Sequence, residues 1–137
     1  MLSASDQLFH LQILDFAIQY GDSIALTDLR TGDNLTFDQL RNKSYNFANN
    51  LKQLGAKKGD IVIVCLENCY QYPIIFLGSA LIGCSISGIH PESTQYELEK
   101  ALKLTNAKYL IVSSHNYHIA INFASQCETM LGVLHEL

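Results

Sequence analysis

The sequence predicts an α/β fold, a mostly parallel sheet with flanking helices, preceded by an N-terminal helix and a β-hairpin. Three observations carry this. The run Ile61–Leu66 is apolar and largely β-branched without alternation, the pattern of a strand buried on both faces. Thr36-Phe37-Asp38-Gln39 and Thr94-Gln95-Tyr96-Glu97 both have capping-box spacing, which marks two helix starts. From residue 59 onward strand-like runs alternate with helical ones, and parallel neighbours need crossover helices that cover the sheet on both sides. The 137 residues suffice for one domain at most, and 48% apolar content with seven Tyr and six Phe excludes a disordered chain.

Each element has a local reason. Between Leu8 and Tyr20 the polar residues Gln12, Asp15 and Gln19 recur at helical spacing among apolar neighbours, which predicts a mostly buried helix with one narrow wet stripe, ended by Gly21. Ile24–Leu29 and Leu35–Phe37 flank Arg30-Thr31-Gly32-Asp33-Asn34, whose turn-forming residues predict a hairpin. The first capping box then opens a helix, with Leu35 and Leu40 placed to staple its entry. Leu40, Phe47, Leu51 and Leu54 supply its apolar face until Gly55. Past the polar connection Lys57–Asp60 and the Ile61–Leu66 strand, residues 68–82 read as a helix with Pro73 near its first turn. Cys84–Ile89 reads as a second buried strand. The second capping box opens a helix through Leu98, Ala101 and Leu102 that Asn106 closes. Tyr109–Val112 is a third strand, a helix carries Ala120, Phe123, Ala124 and Cys127 on one face, and Met130–Leu137 begins a fourth strand.

Composition narrows the function classes. Nine basic against thirteen acidic residues give a net charge of −4, and the basic ones are scattered from Arg30 to Lys108, so no stripe exists to neutralise a run of phosphates and no nucleic-acid partner is expected. The start has no basic region ahead of an apolar stretch, so no secretory leader is read and a cytoplasmic protein is expected. Cys65, Cys69, Cys84 and Cys127 are then expected to be reduced and to pack as small hydrophobes. The uncharged stretch from Asn68 to Ile89 approaches membrane-span length, but its glycines, serines, Asn68, Gln71 and Pro73 divide it into a buried helix and a strand, so no transmembrane segment is expected.

Chemistry-bearing patterns are sparse. Gly55-Ala56-Lys57-Lys58-Gly59 is the nearest approach to a phosphate loop, yet it precedes a strand instead of following one, and a solvated turn explains it. Gly78, Gly83 and Gly88 are too far apart for a dinucleotide fingerprint; helix packing and a helix stop account for the first two. His115 and His118 sit three apart on a helix, but a metal site needs further ligands. Cys65 and Cys69 fall on a strand and at a helix start, which is not the spacing of a zinc knuckle or redox pair. Ser113-Ser114-His115 lacks a glycine-flanked nucleophile turn and suits a strand-to-helix cap. No catalytic, cofactor-binding or metal-binding residue is assigned.

The order of motifs adds what these patterns lack, because residues 8–133 resemble the opening of the adenylate-forming superfamily of acyl-CoA and aryl-CoA ligases, luciferases and adenylation domains. Leu35-Thr36-Phe37-Asp38-Gln39-Leu40 is similar to that family's "L-T-Y-x-E-L", and Leu54-Gly55-Ala56-Lys57-Lys58-Gly59-Asp60-Ile61-Val62 to its "L-G-V-K-K-G-D-V-V". Glu67-Asn68 stands where the family has a proline or acidic residue before Asn-Ser. Phe76-Leu77-Gly78-Ser79-Ala80-Leu81-Ile82-Gly83 resembles "F-L-A-x-x-x-A-G", and Ile89-His90-Pro91-Glu92 resembles "x-N-P-x". Three departures stand out: His90 replaces an Asn, Cys69 a small polar residue, and Cys84-Ser85-Ile86-Ser87-Gly88 a more apolar "A-V-Y-V-P".

The resemblance implies a partial AMP-dependent synthetase/ligase N-terminal domain over 1–137, with helix, hairpin and capped helix in 8–58 and the parallel sheet part in 59–137. It implies ATP, Mg²⁺ and coenzyme A for a full-length parent that makes an acyl-adenylate and then a CoA thioester from a fatty or aromatic acid. For this chain it implies no cofactor, because the family's Ser/Thr/Gly-rich phosphate loop and the catalytic lysine of its C-terminal lid lie beyond Leu137. It also implies that the first helix and hairpin pack largely in a different lobe from the Ile61–Val112 sheet, leaving exposed apolar faces. The expected partner is the remainder of the parent enzyme or a full-length relative. Two other readings are a stand-alone, non-catalytic interaction or regulatory module derived from such an enzyme, and an unrelated small nucleotide-binding domain. A peroxisomal or mitochondrial parent remains open, and the acid is not readable from these residues.

Overall fold

A computed structural model describes residues 8–126 and 130–134, with side chains through residue 123. The order is α1 (Phe9–Tyr20), β1 (Ile24–Thr27), β2 (Asn34–Thr36), α2 (Phe37–Gln53), β3 (Ile61–Cys65), α3 (Gln71–Leu81), β4 (Ser85–Gly88), α4 (Gln95–Thr105), β5 (Tyr109–Ser113), a 3₁₀ turn (Ser114–Asn116), α5 (Tyr117–Gln126) and β6 (Met130–Leu134). β1 and β2 form the expected antiparallel hairpin, with a register shift between Ile24 and Leu26. β3, β4, β5 and β6 form a parallel sheet in the order β4-β3-β5-β6. The α/β class and both capping boxes are therefore as read: Thr36 accepts from the Gln39 amide at 3.2 Å while the Gln39 side chain accepts from the Thr36 amide at 2.9 Å, and Thr94 and Glu97 repeat the exchange.

The sheet has two covered faces because β3 has two apolar faces. Val62 and Val64 pack with Leu51 of α2 and Ile75 of α3, together with Tyr109 and Ile111 of β5. Ile63 and Cys65 point the other way, into a cluster with Leu98 and Leu102 of α4 and Ala120 and Phe123 of α5. A third cluster joins Leu14 of α1, Leu35 of β2, Leu40 of α2, and Ile74 and Leu77 of α3. The first helix and hairpin therefore pack on α2 and α3, in a cluster distinct from the two that hold the strands of the parallel sheet. Leu35 and Leu40 share that cluster, as a staple requires.

Three expectations are corrected. β4 is not a buried strand but the sheet's edge, with Ser85 and Gly88 exposed and, among the described residues, only one neighbour, β3; its serines suit the half-wet position. α1 is not mostly buried: His10, Leu14 and Ala17 are covered, whereas Phe9, Ile13, Phe16, Ile18 and Tyr20 face outward. Leu54 lies past the last turn of α2 and is exposed, and buried Ser44 takes a place on the inner face, its hydroxyl donating to the Leu40 carbonyl at 2.7 Å. Cys127 lies outside the described residues.

α2 and α3 touch closely at Gly78, where a Cβ would stand 2.7 Å from both Phe47 Cδ1 and the Ser44 carbonyl oxygen. The Phe47 ring can turn; the Ser44 carbonyl is backbone on the buried face of α2 and cannot. Gly78→Ala is expected to lower stability by about 1–3 kcal/mol despite alanine's better helix propensity, read as a drop in urea midpoint at unchanged m-value. An unchanged or higher midpoint would mean the helices are not held at this separation.

Candidate functional site

Parallel sheets of this kind offer ligands a crevice beyond the C-terminal strand ends, where strand order reverses. Here that point lies between β3 and β5. β4 is on one side of β3 and β5 on the other, and α3 and α5 leave toward opposite faces. The loops after Cys65 and Ser113 therefore diverge and frame a gap.

The gap is bridged by protein. Asn116, in the 3₁₀ turn, is buried, and its Nδ2 donates to the Pro91 carbonyl at 2.8 Å and lies 3.8 Å from Cys65 Sγ. The Cys65 thiol in turn donates to the His90 carbonyl at 3.5 Å, and the Ile89 amide donates to the Val64 carbonyl at 2.9 Å. One asparagine thus ties the ends of β3 and β5 to the loop that follows β4. Burial pushes the Cys65 thiol upward, against a smaller opposite pull from Asn116, so it stays protonated at neutral pH and unlike an activated nucleophile. His90 has a local role: its Nδ1 accepts from the Glu92 amide at 3.2 Å. An asparagine closes the same two-residue turn with its side-chain oxygen, so His for Asn preserves the turn.

The other singled-out residues do not converge there. Gly55–Gly59 lies at the opposite end of the strands, before β3, and the Lys57 amide already donates to the Asp60 carboxylate at 2.8 Å. Asp60 also takes Lys108 Nζ at 2.7 Å. The Lys108 bond first, then the Lys57 amide, hold the Asp60 carboxyl below its ordinary range, and the same pair raises Lys108. Nearby Cys84 is raised by burial and by the Asp60 charge. The Lys57 amide and the Lys108 ammonium are thus already taken by the Asp60 carboxylate. His115 and His118 are exposed with ring centroids 6.5 Å apart, and no third metal-ligating side chain joins them among the described residues. Ser113 has the extended backbone of a cap but makes no capping side-chain bond. Cys65 and Cys69 are free thiols in different surroundings, one buried at the strand end, the other lining an open cleft of about 390 Å³. That cleft runs between the hairpin residues Asp28 and Arg30 and the approach to α3 at Asn68 and Tyr70. The Asp28 carboxylate is committed to its own turn, accepting from the amides of Arg30 at 2.9 Å and Thr31 at 3.3 Å.

The sequence profile of the AMP-binding enzyme family matches residues 14–135. The chain belongs to the AMP-binding enzyme family. A long-chain-fatty-acid–CoA ligase of Salmonella typhimurium is 35% identical over 103 residues, 74% of this chain and 18% of that protein. A 4-coumarate–CoA ligase-like protein of Oryza sativa subsp. japonica is 30% identical over 102 residues, again 74% of this chain and 18% of its own length. In structure, the chain superposes on a benzoate CoA ligase from Burkholderia xenovorans LB400 with a TM-score of 0.85 at 19% identity, over 93% of this chain and 26% of that one. This AMP-binding segment therefore spans about a fifth of the length of its curated relatives, and those relatives are acyl- and aryl-CoA ligases.

Within the segment, residues at family-motif positions do structural work. Thr36 and Gln39, the latter in place of the motif's Glu, cap α2, Asp60 pins the start of β3, and Gly78, where the motif has Ala, lets α2 approach α3. Asn116 was missed by sequence reasoning, since its partners are 25 and 51 residues away. Its only sequence signal is a turn-forming residue between a strand and a helix. Asn116→Ala, by removing the amide that spans the gap, is expected to cost about 1–2 kcal/mol in urea denaturation; a loss of only a few tenths would show that the loops hold together without it.

Proposed function

We propose that this chain is the opening, scaffolding segment of an ATP-dependent acyl-CoA or aryl-CoA ligase, and that it forms no acyl-adenylate by itself. The observation that carries this reading is the Asn116 bridge at the C-terminal ends of β3 and β5, whose side-chain amide is spent on the Pro91 carbonyl and the Cys65 sulfur. Adenylation has to neutralise charge developing between the α- and β-phosphates and hold the carboxylate in line. Lys108 is paired with Asp60 at the opposite, N-terminal end of β3 and β5, where the Lys57 backbone amide also donates to Asp60. The segment's contribution to a complete ligase is then positional: β3, β4 and β5 present their ends, and the Asn116 bridge fixes the spacing of the loops around them. ATP, Mg²⁺ and coenzyme A belong to the full-length parent in this reading, as does the choice of acid.

Support also comes from coverage, since ligases matched at 30–35% identity have more than four-fifths of their length outside the match. The experiment is carboxylate-dependent exchange of labelled pyrophosphate into ATP, with 4-coumarate, benzoate and a long-chain fatty acid offered in turn. The purified chain is expected to show no exchange above a heat-denatured control. Exchange that survives purification to constant specific activity would overturn the reading. A cooperative, monomeric chain lacking exchange and unable to bind any ligase remainder would favour a stand-alone module instead.

A further inference from the structure

The open cleft of about 390 Å³ between the hairpin and the approach to α3 takes no part in the scaffolding role. It has the size of a small-ligand pocket and a largely apolar wall, with Leu26 and Leu29 contributed by the hairpin and Tyr70 and Pro73 by the start of α3. Set into this wall is one carboxylate, Asp28, of which only 8% is exposed. Its two turn bonds, from the Arg30 and Thr31 amides, both end on Oδ1. Oδ2 makes no hydrogen bond or ion pair with any described residue. A carboxylate accepts on both oxygens, and here half of that capacity stands unused where burial makes an unmatched charge costly.

We propose that this cleft binds a small primary amine with an apolar body, its ammonium donating to Asp28 Oδ2 and its body lying on Leu26, Leu29, Tyr70 and Pro73. An ammonium supplies both things the oxygen lacks, a donor and a positive charge, and an apolar wall selects a ligand whose charge is confined to one end. Hard metal ions take about six oxygens or more, and no group of three metal-ligating side chains gathers here among the described residues. A lysine side chain offers the same ammonium, but its slim four-carbon stem would leave much of the cleft unfilled. Arg30, exposed beside the cleft and in no ion pair with a described residue, opposes a second positive group on the ligand, which favours a monoamine. The site needs neither ATP nor the remainder of a ligase, so it is independent of the function proposed above.

The probe is 2-phenylethylamine, titrated at neutral pH into the ¹⁵N-labelled chain. The expected result is saturable binding in the millimolar range, as suits so small a ligand, with shifts confined to the amides of residues 26–30 and 68–70. The Cys69 thiol lines the same cleft, so its alkylation by iodoacetamide, followed by peptide mass, is expected to slow as the amine is added. Asp28→Asn keeps a side-chain oxygen for the turn amides but removes the charge, and is expected to raise the dissociation constant by about fivefold or more at an unchanged melting midpoint. The alcohol 2-phenylethanol, with the same body and no charge, is expected to bind the unaltered chain more weakly by a similar factor. Shifts that do not saturate would overturn the proposal, as would undiminished affinity in Asp28→Asn or for the alcohol. Equal affinity for Nα-acetyl-lysine methylamide would assign the cleft to a lysine of another protein chain and overturn it too. Should Asp28→Asn fail to fold, the comparison of amine with alcohol on the unaltered chain decides.

Discussion

Burial of β3 on both faces is the constraint from which the rest of the architecture follows. A strand whose successive side chains Val62, Ile63, Val64 and Cys65 are all covered must lie inside a sheet, and that sheet must carry helices on each side. Parallel pairing with β4 and β5 then requires crossovers, and because the chain goes first to one side of β3 and then to the other, the helices divide between the faces. The reversal of direction beside β3 is a product of this packing. It is also the place where folds of this class keep their ligands.

What occupies that place separates scaffold from catalyst. Asn116 spends its side-chain amide on Pro91 and approaches the Cys65 thiol, so the groups facing the gap satisfy one another. Buried polar groups that are already paired hold geometry well and offer a ligand little, since binding must first break those bonds. At the N-terminal ends of β3 and β5 the Asp60 and Lys108 pair has the same character: a carboxylate held ionised by an ammonium and an amide, serving the turn into β3. Both polar clusters fix strand ends.

Most of the fold was legible from the sequence because its determinants are local. The Thr36 and Thr94 capping boxes, Gly21 and Asn106 at helix ends, and the unalternating run at Ile61–Leu66 each act through near neighbours. Burial failed where it depended on distant partners. Cys84–Ile89 reads as a core strand by composition, but its place at the edge of the order β4-β3-β5-β6 is a property of topology. The outer stripe of α1 reads as buried because its residues are apolar, and whether anything covers it depends on protein that the described residues do not include. The site was legible only as a lack of motifs. The Asn116 bridge joins three loops far apart in the chain, and no spacing rule announces such a bond.

The proposal that these residues serve as scaffold and bind no nucleotide by themselves is tested most directly by titrating Mg·ATP into the ¹⁵N-labelled chain and following the Asn116 side-chain amide with the backbone amides of residues 66–70 and 113–116. The account predicts resonances that stay in place, or drift without saturating, up to millimolar nucleotide. Saturable shifts confined to those residues would contradict it.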